Sequence, residues 1–215
     1  MKRVITNRVK VEYAPGKFAE EHVFQIAGDE MSNATEITFK VFDVQNKLIK
    51  RDPGDPMKVL AESVYFDAVK KGVTIPDSTG GNACGRTFPS WEDRKFTKAD
   101  QQTQSKIANY YTYLFGEVTF PGQAPVLANF RMPASVVKEW YNFQPNTLGR
   151  EKDKWPTYLL TLKVSAQQEK SQFAAVKFSL KDMNLAVEDA NTVLEQINKH
   201  VQEHNEQIIN KQKAA

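Results

Sequence analysis

Ile107 to Phe120, IANYYTYLFGEVTF, constrains this chain more than any other stretch, because its aromatic residues repeat with the period of a β-strand. In an extended strand successive side chains point to opposite faces, so Tyr111, Tyr113 and Phe115 share one side while Tyr110, Thr112 and Leu114 share the other. Both faces are rich in apolar or ring-bearing groups. A strand with one solvated face needs only one apolar row. The second row therefore either packs beneath another element or offers flat rings to a flat ligand such as an unstacked base.

Other segments read in the same way. EITFKVF, Glu36 to Phe42, puts Ile37, Phe39 and Val41 on one face, and an earlier strand is expected at about His22 to Ala27. RDPGDP, Arg51 to Pro56, is turn chemistry, with two prolines fixing φ and a glycine relaxing the bend, so the chain reverses there. Met57 to Lys71 shows a loose apolar stripe of Val59, Leu60, Val64, Phe66 and Val69, which predicts an inserted helix closed by Gly72. The span from about 73 to 100 is polar and aperiodic and reads as a long surface loop. PGQAP at Pro121 to Pro125 predicts a hairpin connection into a returning strand, VLANFRM, and Pro133 can open a short helix through Ala134 to Tyr141. TYLLTLKV, Thr157 to Val164, and FAAVKFSL, Phe173 to Leu180, form a second predicted hairpin.

After Asp182 the pattern changes. Val187, Ala190, Leu194, Ile197, Val201, His204 and Ile208 are spaced alternately by three and four, the seam of a heptad helix. A seam this short docks on its own domain or pairs with a second copy or a partner protein. The division is thus a β-rich domain over residues 1–181 and an amphipathic helix over 182–215. The fold class is α+β, mainly β: an OB-like antiparallel barrel with inserted helices and a long C-terminal helix.

The chain has 215 residues, enough for a real core without covalent staples. Its one cysteine, Cys84, excludes an intramolecular disulfide and a cysteine-rich zinc site, and fits a reducing compartment. No apolar run reaches the roughly 18 residues needed to cross a bilayer, and the basic opening lacks a signal's apolar segment, so a cytoplasmic protein away from membranes is expected. Net charge is +3, but its distribution is uneven. From Arg131 to Asp182 nine Lys or Arg face five acids; from Met183 onward three Lys face five acids. A basic β-rich body beside a mildly acidic helix suits a body that meets phosphates and a tail that meets protein.

Three patterns invite an enzymatic reading. His200-Val201-Gln202-Glu203-His204 matches H-x-x-E-H, in which two histidines share a helix face and could bind zinc, but no third ligand stands at a suitable distance in the sequence. TGGNACGR, Thr79 to Arg86, has the glycines of a phosphate loop without the G-x-x-x-x-G-K-[ST] spacing. Cys84 has no histidine near it in sequence to activate it. No catalysis, metal or cofactor is expected from them.

The broader constellation is one of rings and cations, as used by proteins that stack single-stranded bases and neutralise the phosphates between them. Its candidate platforms are Tyr111, Tyr113, Phe115, Trp91 and Trp155. The cationic candidates are Arg86, Arg94, Lys95, Arg131, Arg150, Lys152 and Lys154. NTLGREKDKW, Asn146 to Trp155, is the contact loop these residues single out.

The CGR loop at Cys84 to Arg86, the YYTYLFGEV strand and the WPTYLLTLKV strand, set in two hairpin-rich blocks around an inserted helix, resemble phage-type single-stranded DNA-binding proteins with a decorated OB fold. The resemblance spans roughly Ile37 to Leu180. It implies non-catalytic binding of single-stranded DNA, or of RNA, in replication or recombination within the host cytoplasm. Such proteins commonly end in a flexible acidic tail that recruits partners. Here the heptad helix stands in its place, and Leu194, Ile197, Val201, His204 and Ile208 are the residues through which a homodimer or a replication partner would dock. The rival expectation is a structural or assembly protein, virion-associated, that oligomerises through the same helix.

Overall fold

The computed structural model describes residues 1–66, 75–81, 83–85, 107–132, 136, 139–140, 143, 160–167, 175–182 and 187–213. Among them are nine strands and one helix described without interruption: β1 (Lys2–Ala14), β2 (Lys17–Ile26), β3 (Asp29–Ala34), β4 (Glu36–Arg51), β5 (Val59–Glu62), β6 (Asn109–Thr119), β7 (Val126–Arg131), β8 (Leu160–Gln167), β9 (Ala175–Asp182) and α1 (Val187–Lys213). The protein is α+β and mainly β.

The strands follow the order β3-β2-β1-β7-β6-β4-β8-β9, with β5 paired to β4. Hydrogen bonding does not close this path among the described residues, and β1 runs parallel to β7 through Lys2↔Ala128 and Val4↔Phe130. The sheet is therefore open and mixed, where an antiparallel closed barrel was expected.

Two compact units make up the chain, one of residues 1–43 and 114–195, the other of residues 44–113 and 196–215. In the first, the alternation of EITFKVF works as read: Ile37, Phe39 and Val41 are buried. Phe24 meets Phe130 edge-on at 5.9 Å, and Trp140 meets Phe178 at 5.3 Å, so aromatic pairs supply much of this core. At Gly116 β6 passes so close to β4 that a Cβ there would overlap the Lys40 carbonyl oxygen. Only hydrogen fits. Across the same pair of strands Lys40 and Glu117 form an ion pair at 3.5 Å.

In the second unit Leu48, Ala61, Val64, Phe66, Ile75, Cys84, Ala108 and Ile208 form one apolar cluster. The RDPGDP turn reverses the chain as expected, with Asp52 N–H donating to the Lys58 carbonyl at 3.0 Å and Asp55 N–H to that of Asp52 at 3.2 Å. The turn leads into a strand, which corrects the helix expected over 57–71 as far as residue 66, residues 67–71 lying outside the described ones: Arg51 faces Val59, Lys50 faces Ala61 and Ile49 faces Glu62. The hairpin turn delivers residues 59–62 directly onto the edge of a 16-residue strand, and ladder hydrogen bonds outweigh a weak helical stripe. Ser63 shows why. It falls off the helical stripe yet is buried, its hydroxyl accepting Leu48 N–H at 2.9 Å and donating to the Val64 carbonyl at 2.8 Å.

The Gln123 N–H to Phe120 carbonyl bond of 3.0 Å closes the PGQAP turn, with Gly122 at a φ of 72° that suits glycine. β8 and β9 pair antiparallel from Leu162↔Leu180 to Gln167↔Ala175, so the second hairpin forms a few residues beyond its expected limits. Of the short helix expected at 134–141, the described Val136, Glu139 and Trp140 are helical, and Val136 and Trp140 are buried.

Candidate nucleic-acid interface

The expected stacking platform is not on β6. Tyr113 is 7% exposed, Phe115 is fully buried, and Tyr111 is half-buried. Thr112 and Leu114 on the opposite face are buried as well. β6 lies inside the sheet, between β7 and β4, and a central strand covered on both faces uses both of its side-chain rows for packing. Tyr113 meets Tyr65 edge-on at 5.3 Å. Arg131 sits half-buried at the end of β7. Trp91, Trp155, Arg86, Arg94, Lys95, Arg150, Lys152 and Lys154 lie outside the described residues, as does most of the 73–100 span.

The α1 seam packs on the chain itself through Ile208, one of the alternatives that its heptad spacing left open. Ile197 and Ile208 are buried, Ile208 within the cluster of Leu48, Val64 and Phe66; Leu194, Val201 and His204 are half-buried. His204 is held by chemistry as well as by packing. Lys47 Nζ donates to its Nε2 at 2.7 Å and to Glu62 Oε2 at 2.7 Å, and the His204 and Tyr65 rings lie 4.8 Å apart. One residue on, Asn205 Oδ1 accepts Tyr65 N–H at 2.7 Å, while Lys211 reaches Glu62 at 3.6 Å. Burial pushes the Lys47 ammonium below its ordinary value despite its carboxylate partner. Burial alone would raise the Glu62 carboxyl, but the Lys47 hydrogen bond and charge hold it below the usual range. His204 is pushed down to about 4, first by burial and then by Lys47. The ring is a neutral acceptor at neutral pH.

That arrangement gives HVQEH a structural role. A histidine whose Nε2 already accepts a lysine proton does not offer that atom to zinc, and no group of three His, Cys, Asp or Glu among the described residues is placed to hold a metal. The described residues of TGGNACGR, 79–81 and 83–85, are likewise tied to the chain itself, through Asp77. Asp77 Oδ1 accepts Thr79 N–H at 2.9 Å and its hydroxyl at 2.6 Å, and Asp77 Oδ2 accepts Cys84 N–H at 2.9 Å. The Cys84 thiol is buried and pushed up to about 11 by burial and by the Asp77 charge, so it is poorly nucleophilic.

Exposed rings occur elsewhere, on a surface not singled out from the sequence. β1 and β2 form a ribbon paired from Val4↔Ile26 to Ala14↔Lys17, and β7 accompanies β1 only at Lys2–Val4. Beside Ile5–Arg8 the β2 residues His22–Gln25 are still buried, and the distal part of the ribbon, Val9–Ala14 with Lys17–Glu21, is mostly exposed. At its tip Tyr13 is 68% and Phe18 59% exposed. Gly16, at a φ of 70°, turns the chain, and its N–H donates to Glu12 Oε1 at 2.7 Å. Lys2, Arg3, Arg8, Lys10 and Lys17 lie along the ribbon against Glu12, Glu20 and Glu21, leaving a surplus of two positive charges. Arg8 pairs with Glu20 at 3.1 Å across the strands. The available signal was V-x-V-x-Y followed by Pro15-Gly16, an alternating strand ending at a turn. A second exposed apolar group lies in the other unit at the β4–β5 turn, where Met57 is 85% exposed beside Val59 and Leu60.

Comparison with known proteins finds no matching family model, no matching curated protein and no matching solved structure. No helix among the described residues is long and apolar enough to cross a membrane.

Proposed function

We propose that this protein binds single-stranded DNA without catalysing a reaction, in a replication or recombination setting where strands are exposed. One observation carries the reading: the β1–β2 ribbon holds two solvent-open aromatic rings, Tyr13 and Phe18, on a strand pair that bears two more basic than acidic side chains. Rings supply sequence-tolerant stacking and cations follow the phosphates. The platform thus moves from the buried rows of β6 to the ribbon. An OB-like scaffold in the host cytoplasm belongs to the same proposal, and ribbon binding does not depend on it.

Fluorescence anisotropy with labelled single-stranded and duplex oligonucleotides at two salt concentrations tests this. Binding is expected to prefer the single strand and to weaken as salt rises. A Tyr13→Ala/Phe18→Ala double variant should lose affinity across all sequences, by about 1 to 3 kcal/mol for each stacked base removed. Salt-insensitive or absent binding, or a folded double variant of full affinity, overturns the proposal.

The exposed Met57, Val59 and Leu60 favour a second reading, an assembly protein docking through the β4–β5 turn. It predicts no oligonucleotide shift in the same titration.

A further inference from the structure

We infer that the outer edge of β1 pairs with the same edge of a second copy of this chain, joining two ribbons into one four-stranded sheet. This goes beyond the DNA-binding reading and does not require it. β1 has two hydrogen-bonding edges. One is taken by β2 from Val4 to Ala14; the other is taken by β7 only as far as Val4. From Ile5 onward no strand among the described residues lies on that second edge. A long uncovered edge is a template for another strand.

Sequence chooses the partner and the register. Two identical strands related by a two-fold axis normal to the sheet run antiparallel, and residues opposite one another then share a face. With the axis at Val11, Val11 faces its own copy and Lys10 faces Glu12 twice. Opposite charges placed directly across a strand pair stabilise it, and like charges oppose it. Moving the axis to Lys10 sets lysine against lysine, and the Arg8 it brings opposite Glu12 is already paired with Glu20 at 3.1 Å; moving it to Glu12 sets carboxylate against carboxylate, and moving it to Val9 sets Arg8 against Lys10. Glu12 uses Oε1 for the Gly16 N–H, leaving Oε2 for the lysine of the second copy. Pairing stops at the strand irregularity between Glu12 and Ala14, as bulges commonly end a ladder. Both faces of the joined ribbon stay open, because the contact is made edge to edge.

Cys84 is buried and poorly nucleophilic, so an introduced cysteine on β1 is the reactive thiol in a crosslinking test on the full chain. Facing Cα atoms on antiparallel strands lie roughly 4.5 to 5.5 Å apart, within the disulfide range of about 4.4 to 6.8 Å. Val11→Cys is expected to form a disulfide-linked dimer under mild oxidation. Val9→Cys, whose two copies would stand four residues apart or roughly 13 Å, is not. Light scattering should show the wild-type mass doubling with concentration. Glu12→Lys should weaken the dimer at least tenfold, and Lys10→Glu/Glu12→Lys should restore it. A monomeric mass at every concentration, equal crosslinking at the two cysteine positions, no crosslinking at either, or no rescue by the exchange overturns the inference.

Discussion

Acid should loosen the grip of α1 on the second unit, and His204 should account for a separable share of the loss. Its Nε2 accepts a proton from Lys47 Nζ at 2.7 Å, which only a neutral imidazole can do. Protonation sets two cations against each other and removes the acceptor. The folded value is depressed from 6.5 to about 4. Above pH ~6.5 both the folded and the unfolded ring are neutral, so the histidine contributes no pH dependence there. As pH falls from 6.5 toward 4 the unfolded chain takes up a proton that the folded chain refuses, and stability declines through that window and then levels. At 1.36 kcal/mol per pKa unit the undiminished effect is ~3 kcal/mol. The ring is only half-buried, so solvent screening reduces it to about 1–2 kcal/mol. Urea unfolding of the full chain at pH 7 and pH 4, followed by helical ellipticity, measures it. His204→Gln keeps an acceptor for Lys47 and does not titrate, so the wild type should lose about 1–2 kcal/mol more than the variant between the two pH values. Identical losses would refute the argument and return the contact to ordinary packing.

Gly116→Ala brings a methyl group against the Lys40 carbonyl and should destabilise the chain by on the order of 3 kcal/mol in thermal unfolding, with α1 helicity retained in the native baseline. Asp77→Asn keeps one acceptor oxygen and replaces the other with a donor. It should cost about 1–3 kcal/mol and raise the reaction rate of Cys84 with a thiol reagent, both readable in one preparation.

Long elements were legible because their local chemistry agrees with their surroundings. The alternation of Ile37, Phe39 and Val41, the PGQAP turn and the three-four spacing from Ala190 to Ile208 each describe a face that the folded chain buries or a bend that it makes. Residues 57–62 were not legible, since four β-prone or neutral residues cannot outvote a loose helical stripe until β4 is present to pair with them. The β6 rows illustrate a different limit. Spacing tells which rings share a face, but whether that face meets solvent depends on β7 and β4 lying on either side, and this is a property of the assembled sheet. The β1–β2 ribbon carries the alternation V-x-V-x-Y ahead of Pro-Gly, a pattern of only three apolar positions interrupted by Lys10 and Glu12. The function of α1 turned on His204, where a histidine in a heptad seam is explained by Lys47, a residue more than 150 positions earlier.

Because β1 is anchored beside β7, it must wait for more than a hundred later residues to leave the ribosome before its parallel neighbour exists. The Pro15-Gly16 turn lets β1 and β2 close on each other within microseconds. Docking that ready-made arm requires a loop closure of the kind that slows folding. Until then β3 can hold the β2 margin of the nascent ribbon but the β1 margin has no β7 beside it, and this is the interval in which it most needs protection from neighbouring nascent chains.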